Sequence, residues 1–158
     1  MNLLVTWLLL FGIGLYLFKN VERPLWWETQ NPFNVRFAAG NQWEGQIGGL
    51  NGFVKFRDIK YGVRAGLIIL RTYYYRHKLR TIKSIISRWA PPNENDTQSY
   101  IDFVSMQTGF SPSDVLLPRE VGRVAWAIML FETGGKGIPL HLVVEQWEKV
   151  RVGNDEAV

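Results

Sequence analysis

The first 18 residues, Met1–Phe18, contain no charged side chain, and no other stretch constrains this chain as much. Leu3, Leu4, Val5, Trp7, Leu8, Leu9, Leu10, Phe11, Ile13, Leu15, Leu17 and Phe18 would put apolar groups on every face of a helix. At about 1.5 Å per residue that helix is roughly 27 Å long, close to the hydrocarbon thickness of a bilayer. Trp7, Tyr16 and Trp26–Trp27 lie in or soon after the run, and such rings favour the headgroup zone. A cleaved secretory signal fits less well, because no Lys or Arg precedes the run and no A-x-A-like site follows it. The sequence therefore predicts a transmembrane anchor over residues 1–18 and a juxtamembrane linker over 19–30. A globular, mostly helical domain is expected over 31–151 and a flexible tail over 152–158. The competing reading of the first segment is a buried core helix.

Every formal charge therefore falls within residues 19–158, and the charges are uneven. Residues 59–93 hold 8 Lys/Arg and no acid, whereas residues 94–158 hold 10 Asp/Glu. The basic segment reads either as a solvated helix face or as a surface that meets phosphates, of lipid headgroups or nucleic acid. No nucleic-acid-binding module is recognisable, so no specific nucleic-acid partner is predicted. The chain has 0 cysteines and 2 histidines, His77 and His141. That excludes disulfides and thiolate chemistry and argues against a histidine-rich metal site. No metal and no cofactor is predicted.

Residues 19–57 are rich in Gly, Asn and aromatics, the composition of loops and turns. Val35–Phe37 and Phe53–Phe56 alternate and are expected to pair as short strands, with the glycines at 45, 48, 49 and 52 as turns. From Asp58, an N-cap residue, the period becomes helical: Ile59, Val63, Leu67, Leu70 and Tyr74 share a stripe running to about His77. Gly62 and Gly66 lie four apart on that helix, where another element would pack closely. Thr81 caps a second helix with Ile82, Ile85, Ile86 and Trp89 inward, stopped by Pro91–Pro92. Thr97 opens a third, with Tyr100, Ile101 and Val104 inward, closing at Gly109. Ser111-Pro112-Ser113-Asp114 reads as a further helix start. Pro118 begins a helix with Val121, Val124, Ala125, Ile128 and Met129 inward, ended by Gly134–Gly135. Ile138–Pro139 begins the last, with Leu140, Val143, Val144 and Trp147 inward.

Two places carry candidate chemistry. Glu132 ends an apolar helix, where the helix dipole and a low-polarity setting both raise an acid's pKa. A raised pKa is what a general acid for glycoside cleavage needs. The plainer reading pairs Glu132 with an arginine such as Arg88. The second place is the proline-set loop Arg88–Thr97, which carries Glu94, Asn95 and Asp96. Glu94 or Asp96 would assist Glu132, or the loop's polar side chains would simply make turns and cap the next helix. Asn34, Asn95 and Arg88 are candidate saccharide contacts, and Trp43 and Trp89 would stack on sugar or fill core. No G-x-S-x-G, Walker-type loop or H-E-x-x-H occurs.

The segments Asn31-Pro32-x-Asn34-x-Arg36, Gly40-x-x-Trp43-x-Gly45, Phe53-x-x-Phe56 and Tyr61-Gly62-Val63-Arg64-Ala65 occur in that order. They are followed by Thr81-Ile82-x-x-Ile85-Ile86-x-Arg88-Trp89-Ala90-Pro91-Pro92-x-Glu94-Asn95-x-Thr97-x-x-Tyr100. Over about residues 31–134 the chain resembles a phage virion structural protein family, found in phages and prophages and including tail-less, membrane-containing phages of the corticovirus type. The family's helix ends His-Glu-Asn-Gly, whereas this chain has Phe131-Glu132-Thr133-Gly134. Gln30 and Phe33 likewise depart from the family's Asn-Asn-Pro-Gly-Asn. A small helical domain with a β-hairpin before it and one acid at a helix end is also similar to lysozyme-like muramidases.

The expected fold is mainly α with a small β-hairpin lead-in, an α+β arrangement on the lysozyme-like pattern, behind a single N-terminal transmembrane helix. The function implied is a membrane-anchored structural protein of a bacteriophage virion. Its partners would be the lipid bilayer and other virion proteins, in the virion's internal membrane and, during assembly, the host inner membrane. The alternative is an enzyme, a virion-associated peptidoglycan hydrolase of muramidase or lytic transglycosylase type. It would act when the phage enters or leaves its host, and peptidoglycan would then be a further partner.

Overall fold

Helix caps and the spacing of apolar residues set most of the secondary structure. The computed structural model describes residues 23–93 and 95–153. A one-turn helix, α1 (Leu25–Glu28), leads through a loop into a two-stranded antiparallel sheet of β1 (Gln46–Leu50) and β2 (Phe53–Phe56). The longer helices follow: α2 (Ile59–Arg71), α3 (Ile82–Trp89), α4 (Thr97–Thr108), α5 (Val121–Glu132) and α6 (Leu140–Val152). A π-helical turn, Thr72–Arg76, prolongs α2, and a 3-10 turn, Pro118–Glu120, introduces α5.

Local chemistry explains where these helices start. Asp58 accepts from the Lys60 amide at 2.9 Å and caps α2. Thr81 and Ser84 form a reciprocal capping box on α3, satisfying donors that a helix start leaves unpaired. Asp96 caps α4, while Thr97 Oγ1 instead donates to the Ala90 carbonyl at 2.6 Å. Gly109 ends α4 at φ 75°, the left-handed conformation that favours glycine.

The core is built round α5. Val121, Gly122, Val124, Ala125, Ala127, Ile128 and Met129 are all buried, and α2, α4 and α6 pack against this helix. A helix apolar on most of its faces is stable only in an interior. The fully buried Trp147 of α6 closes over Gly122 and donates Nε1 to the Pro118 carbonyl at 2.8 Å.

The pair of glycines on α2 does what the spacing predicts. A Cβ on Gly62 would lie 2.2 Å from the Gln30 carbonyl oxygen, and one on Gly66 would lie 2.3 Å from the Phe33 ring. The loop after α1 therefore lies directly on the α2 backbone. The segment 19–30, expected as a linker, contains α1, and its residues Trp26 and Thr29 are buried.

Several expectations are corrected. The fold is α+β with a small antiparallel hairpin, and among the described residues no helix is long and apolar enough to cross a membrane. The longest described α-helices have 13 residues, and α2 with its π-helical extension carries Lys60, Arg64, Arg71 and Arg76, charges that a bilayer core disfavours. Residues 1–18, on which the transmembrane helix was expected, lie outside the described residues. In the sheet, β2 pairs chiefly with Gln46–Leu50, and the 35–37 segment adds only a bridge between Arg36 and Phe53. Gly48 and Gly49 are thus strand residues, not turns. Gly48, at φ 145°, adjoins a register shift, and a Cβ on Gly49 would meet the Phe37 ring at 2.9 Å. A bulge and a close ring contact both call for glycine. The turn itself is Asn51–Gly52, both at positive φ, the pair that suits a tight hairpin.

The start signal at Ser111–Asp114 makes an isolated turn and no helix. Asp114 Oδ2 accepts from the Ser111 amide at 2.8 Å, as a cap would. The chain then extends, because the Leu116 amide donates to the Arg80 carbonyl at 2.8 Å and Tyr74 donates its hydroxyl to the Leu116 carbonyl at 2.8 Å. A helix from Pro112 would also have met Pro118 in its second turn.

Because the Gly62 contact is with backbone, Gly62→Ala should destabilise the domain by about 1–3 kcal/mol through overpacking. Gly40→Ala, where a Cβ meets nothing within 4 Å, should be close to neutral. Urea denaturation of the two variants checks this.

Candidate functional site

Glu132 is the last residue of α5 and is half-buried. Its carboxylate accepts three hydrogen bonds, all from uncharged donors. Asn34 Nδ2 lies 2.9 Å from Oε2, Trp89 Nε1 3.1 Å from Oε1, and the Tyr100 hydroxyl 2.8 Å from Oε1. The donors come from the loop after α1, the end of α3 and the first turn of α4. One side chain therefore ties four segments together. Arg88, the partner expected on the plainer reading, instead lies over the Tyr73 ring, 5.2 Å from its centroid.

Each donor is itself held. Asn34 adopts φ 48°, a conformation that asparagine tolerates better than most residues. It is presented by Asn31, which is wholly buried. Asn31 Nδ2 donates to the carbonyls of Val35 and Val54 at 3.0 Å, and its Oδ1 accepts from the Val35 amide at 2.9 Å. That closes the loop and pins it to β2. The Tyr100 ring stacks on Phe131 with centroids 3.8 Å apart. Trp89 meets Phe33 and Tyr73 edge to face, at 6.0 and 6.4 Å.

Burial, and then the neighbouring Glu132 charge, push the Tyr100 hydroxyl far above the ordinary tyrosine range. Burial also raises Tyr73, against an opposing pull from Arg88. Asp96 is held below the usual carboxylate range by the Ser99 hydroxyl and backbone amide, which suits an ionised cap at a helix N-terminus.

Beside the clamp runs a groove of about 730 Å³. Of the residues singled out from sequence, Glu132, Asn34, Asn95, Arg88, Trp43 and Trp89 all line it. Asp96 does not; it is spent on capping α4. Glu94 lies outside the described residues. Sequence reasoning missed Tyr100 as a partner of Glu132, because its place on the inward stripe of α4 marked it only as core. It also missed Asn31, whose one signal was its place in the Asn-Pro-x-Asn motif. Among the described residues no group of three or more potential metal ligands occurs.

No protein-family model matches the chain. It is 35% identical over 127 residues to Protein P5 of Pseudoalteromonas phage PM2, an alignment covering 78% of this chain and 79% of Protein P5. The chain belongs to the family of that phage protein.

Removing the Tyr100 hydroxyl in Tyr100→Phe should cost about 1–2 kcal/mol, read from denaturant midpoints, because Glu132 loses a charge-assisted partner. The raised tyrosines also predict alkaline sensitivity. In the unfolded chain they ionise near the ordinary value of 10.0, whereas Tyr100 in the fold stays protonated. Their stabilising contribution is complete below that pH and falls as pH rises above it. Thermal melts from pH 8 to 11.5 should show Tm dropping above about pH 10, less steeply in Tyr100→Phe.

Proposed function

We infer that this protein is a structural component of the phage particle, in contact with other virion proteins, in which Glu132 serves as a fastener. Kinship with Protein P5 supports a role in a phage. The observation that carries the reading is how Glu132 is held: Oε1 takes two bonds and Oε2 one, from three separate segments. A general acid must keep a proton on one of those oxygens and release it to a leaving group. Here three of the carboxylate's acceptor positions are already taken by donors from the protein itself. Three hydrogen bonds from separate segments suit a side chain that locks the loop, α3 and α4 onto α5.

The second reading, a peptidoglycan hydrolase, is favoured by one feature: Glu132 shares its groove with Trp43, Trp89 and three asparagines, Asn34, Asn41 and Asn95. A zymogram of the full-length protein on bacterial cell walls separates the two, with Glu132→Gln beside it and thermal melts of both. The fastener reading expects no clearing by either protein. It also expects Glu132→Gln to lose about 1–3 kcal/mol, because the new amide turns a donor toward donors. Clearing by wild type but not by a folded Glu132→Gln overturns that reading and establishes the hydrolase. Detection of the chain in purified particles checks the virion placement.

A further inference from the structure

The groove beside Glu132 offers chemistry that the fastening role leaves unused. Its volume, about 730 Å³, falls in the range of small-molecule sites. Glu132 Oε2 accepts one bond, from Asn34, and a carboxylate oxygen has room for a second donor. Asn34, Asn41 and Asn95 line the same space, and each side-chain amide both donates and accepts. Trp43 and Trp89 contribute indole surface. At the exposed edge stand Arg76 and Arg88. Among the described residues neither belongs to an ion pair.

These groups select among ligands. A half-buried carboxylate and amide walls suit a molecule rich in hydroxyls, since hydroxyls donate as well as accept. The phosphodiester backbone of a DNA strand offers acceptors alone, and its repeating charge would run beside the Glu132 carboxylate. The two guanidinium groups favour a carboxylate, which arginine grips with paired bonds. Indole faces suit the apolar face of a sugar ring. We propose that this groove binds an acidic saccharide, its hydroxyls meeting Glu132 and the asparagines and its carboxylate meeting Arg88 and Arg76. Binding of this kind asks no proton of Glu132, so it stands whether or not the protein cleaves anything and whether or not it is a fixed part of the particle.

Titration calorimetry on the full-length protein tests the proposal with three probes. One is the disaccharide of N-acetylglucosamine and N-acetylmuramic acid, which carries a free lactyl carboxylate. The others are the neutral disaccharide of N-acetylglucosamine and an eight-residue oligothymidylate. The acidic disaccharide should bind saturably and about tenfold tighter than the neutral one, a gap of the size expected for one charge-assisted pair. Arg88→Gln and Arg76→Gln, each with an unchanged melting curve, should shrink that preference severalfold, and Lys149→Gln on the exposed face of α6 should leave it intact. Equal affinity for the two disaccharides, tighter binding of the oligothymidylate, or no saturable heat with the acidic disaccharide at millimolar concentration would each overturn it.

Discussion

Four segments that are far apart in the chain meet at the carboxylate of Glu132, and the rest of the architecture is arranged so that they can. Asn34, Trp89 and Tyr100 reach it across separations of 98, 43 and 32 residues. None of these bonds is between fully exposed groups, so water competes weakly and each is worth more than a surface contact. The supports behind the donors follow from this demand. Asn31 is wholly buried to shape the loop that offers Asn34. Gly62 and Gly66 are bare because that loop lies against α2. Phe131, next to Glu132, stacks on Tyr100.

Position at a helix end gives the carboxylate its special status. A helix C-terminus carries partial negative charge and disfavours an acid. The three donors supply what the backbone withholds. The immediate neighbours of Glu132 have contacts of their own. Phe131 is partly exposed and provides stacking, and Thr133 is buried with its hydroxyl donating to the Met129 carbonyl at 2.8 Å. Neither contact is made with the carboxylate itself.

The groove and the clamp share residues, and this links stability to recognition. Trp89 and Asn34 both hold Glu132 and line the open space beside it. A ligand seated there would feel the same rigid amide and indole positions that the fold requires. Such pre-organisation lowers the ordering cost of binding. The cationic rim comes from the acid-free segment 59–93, so the uneven charge read from the sequence becomes, in part, the edge of a groove.

The helical frame was legible from the chain alone. Asp58 and Thr81 as caps, Gly109 as a stop, the inward stripes of α2 to α6 and the close approach at Gly62 and Gly66 all follow from signals within about one or two turns. What failed was local too, but overruled. Ser111–Asp114 carries a helix start, yet Leu116 is drawn into contact with Arg80 and Tyr74. Gly48 and Gly49 look like turns, yet the strand Phe53–Phe56 needed a partner and Phe37 needed space. Glu132 could be singled out as unusual, whereas its donors could not, because hydrogen bonds across tens of residues depend on how whole helices pack. Sequence thus set which residues become helix and which face turns inward, since those choices rest on neighbours a few positions away. Only the tertiary structure decided what the Glu132 carboxylate is bonded to, since that choice rests on packing between elements far apart in the chain.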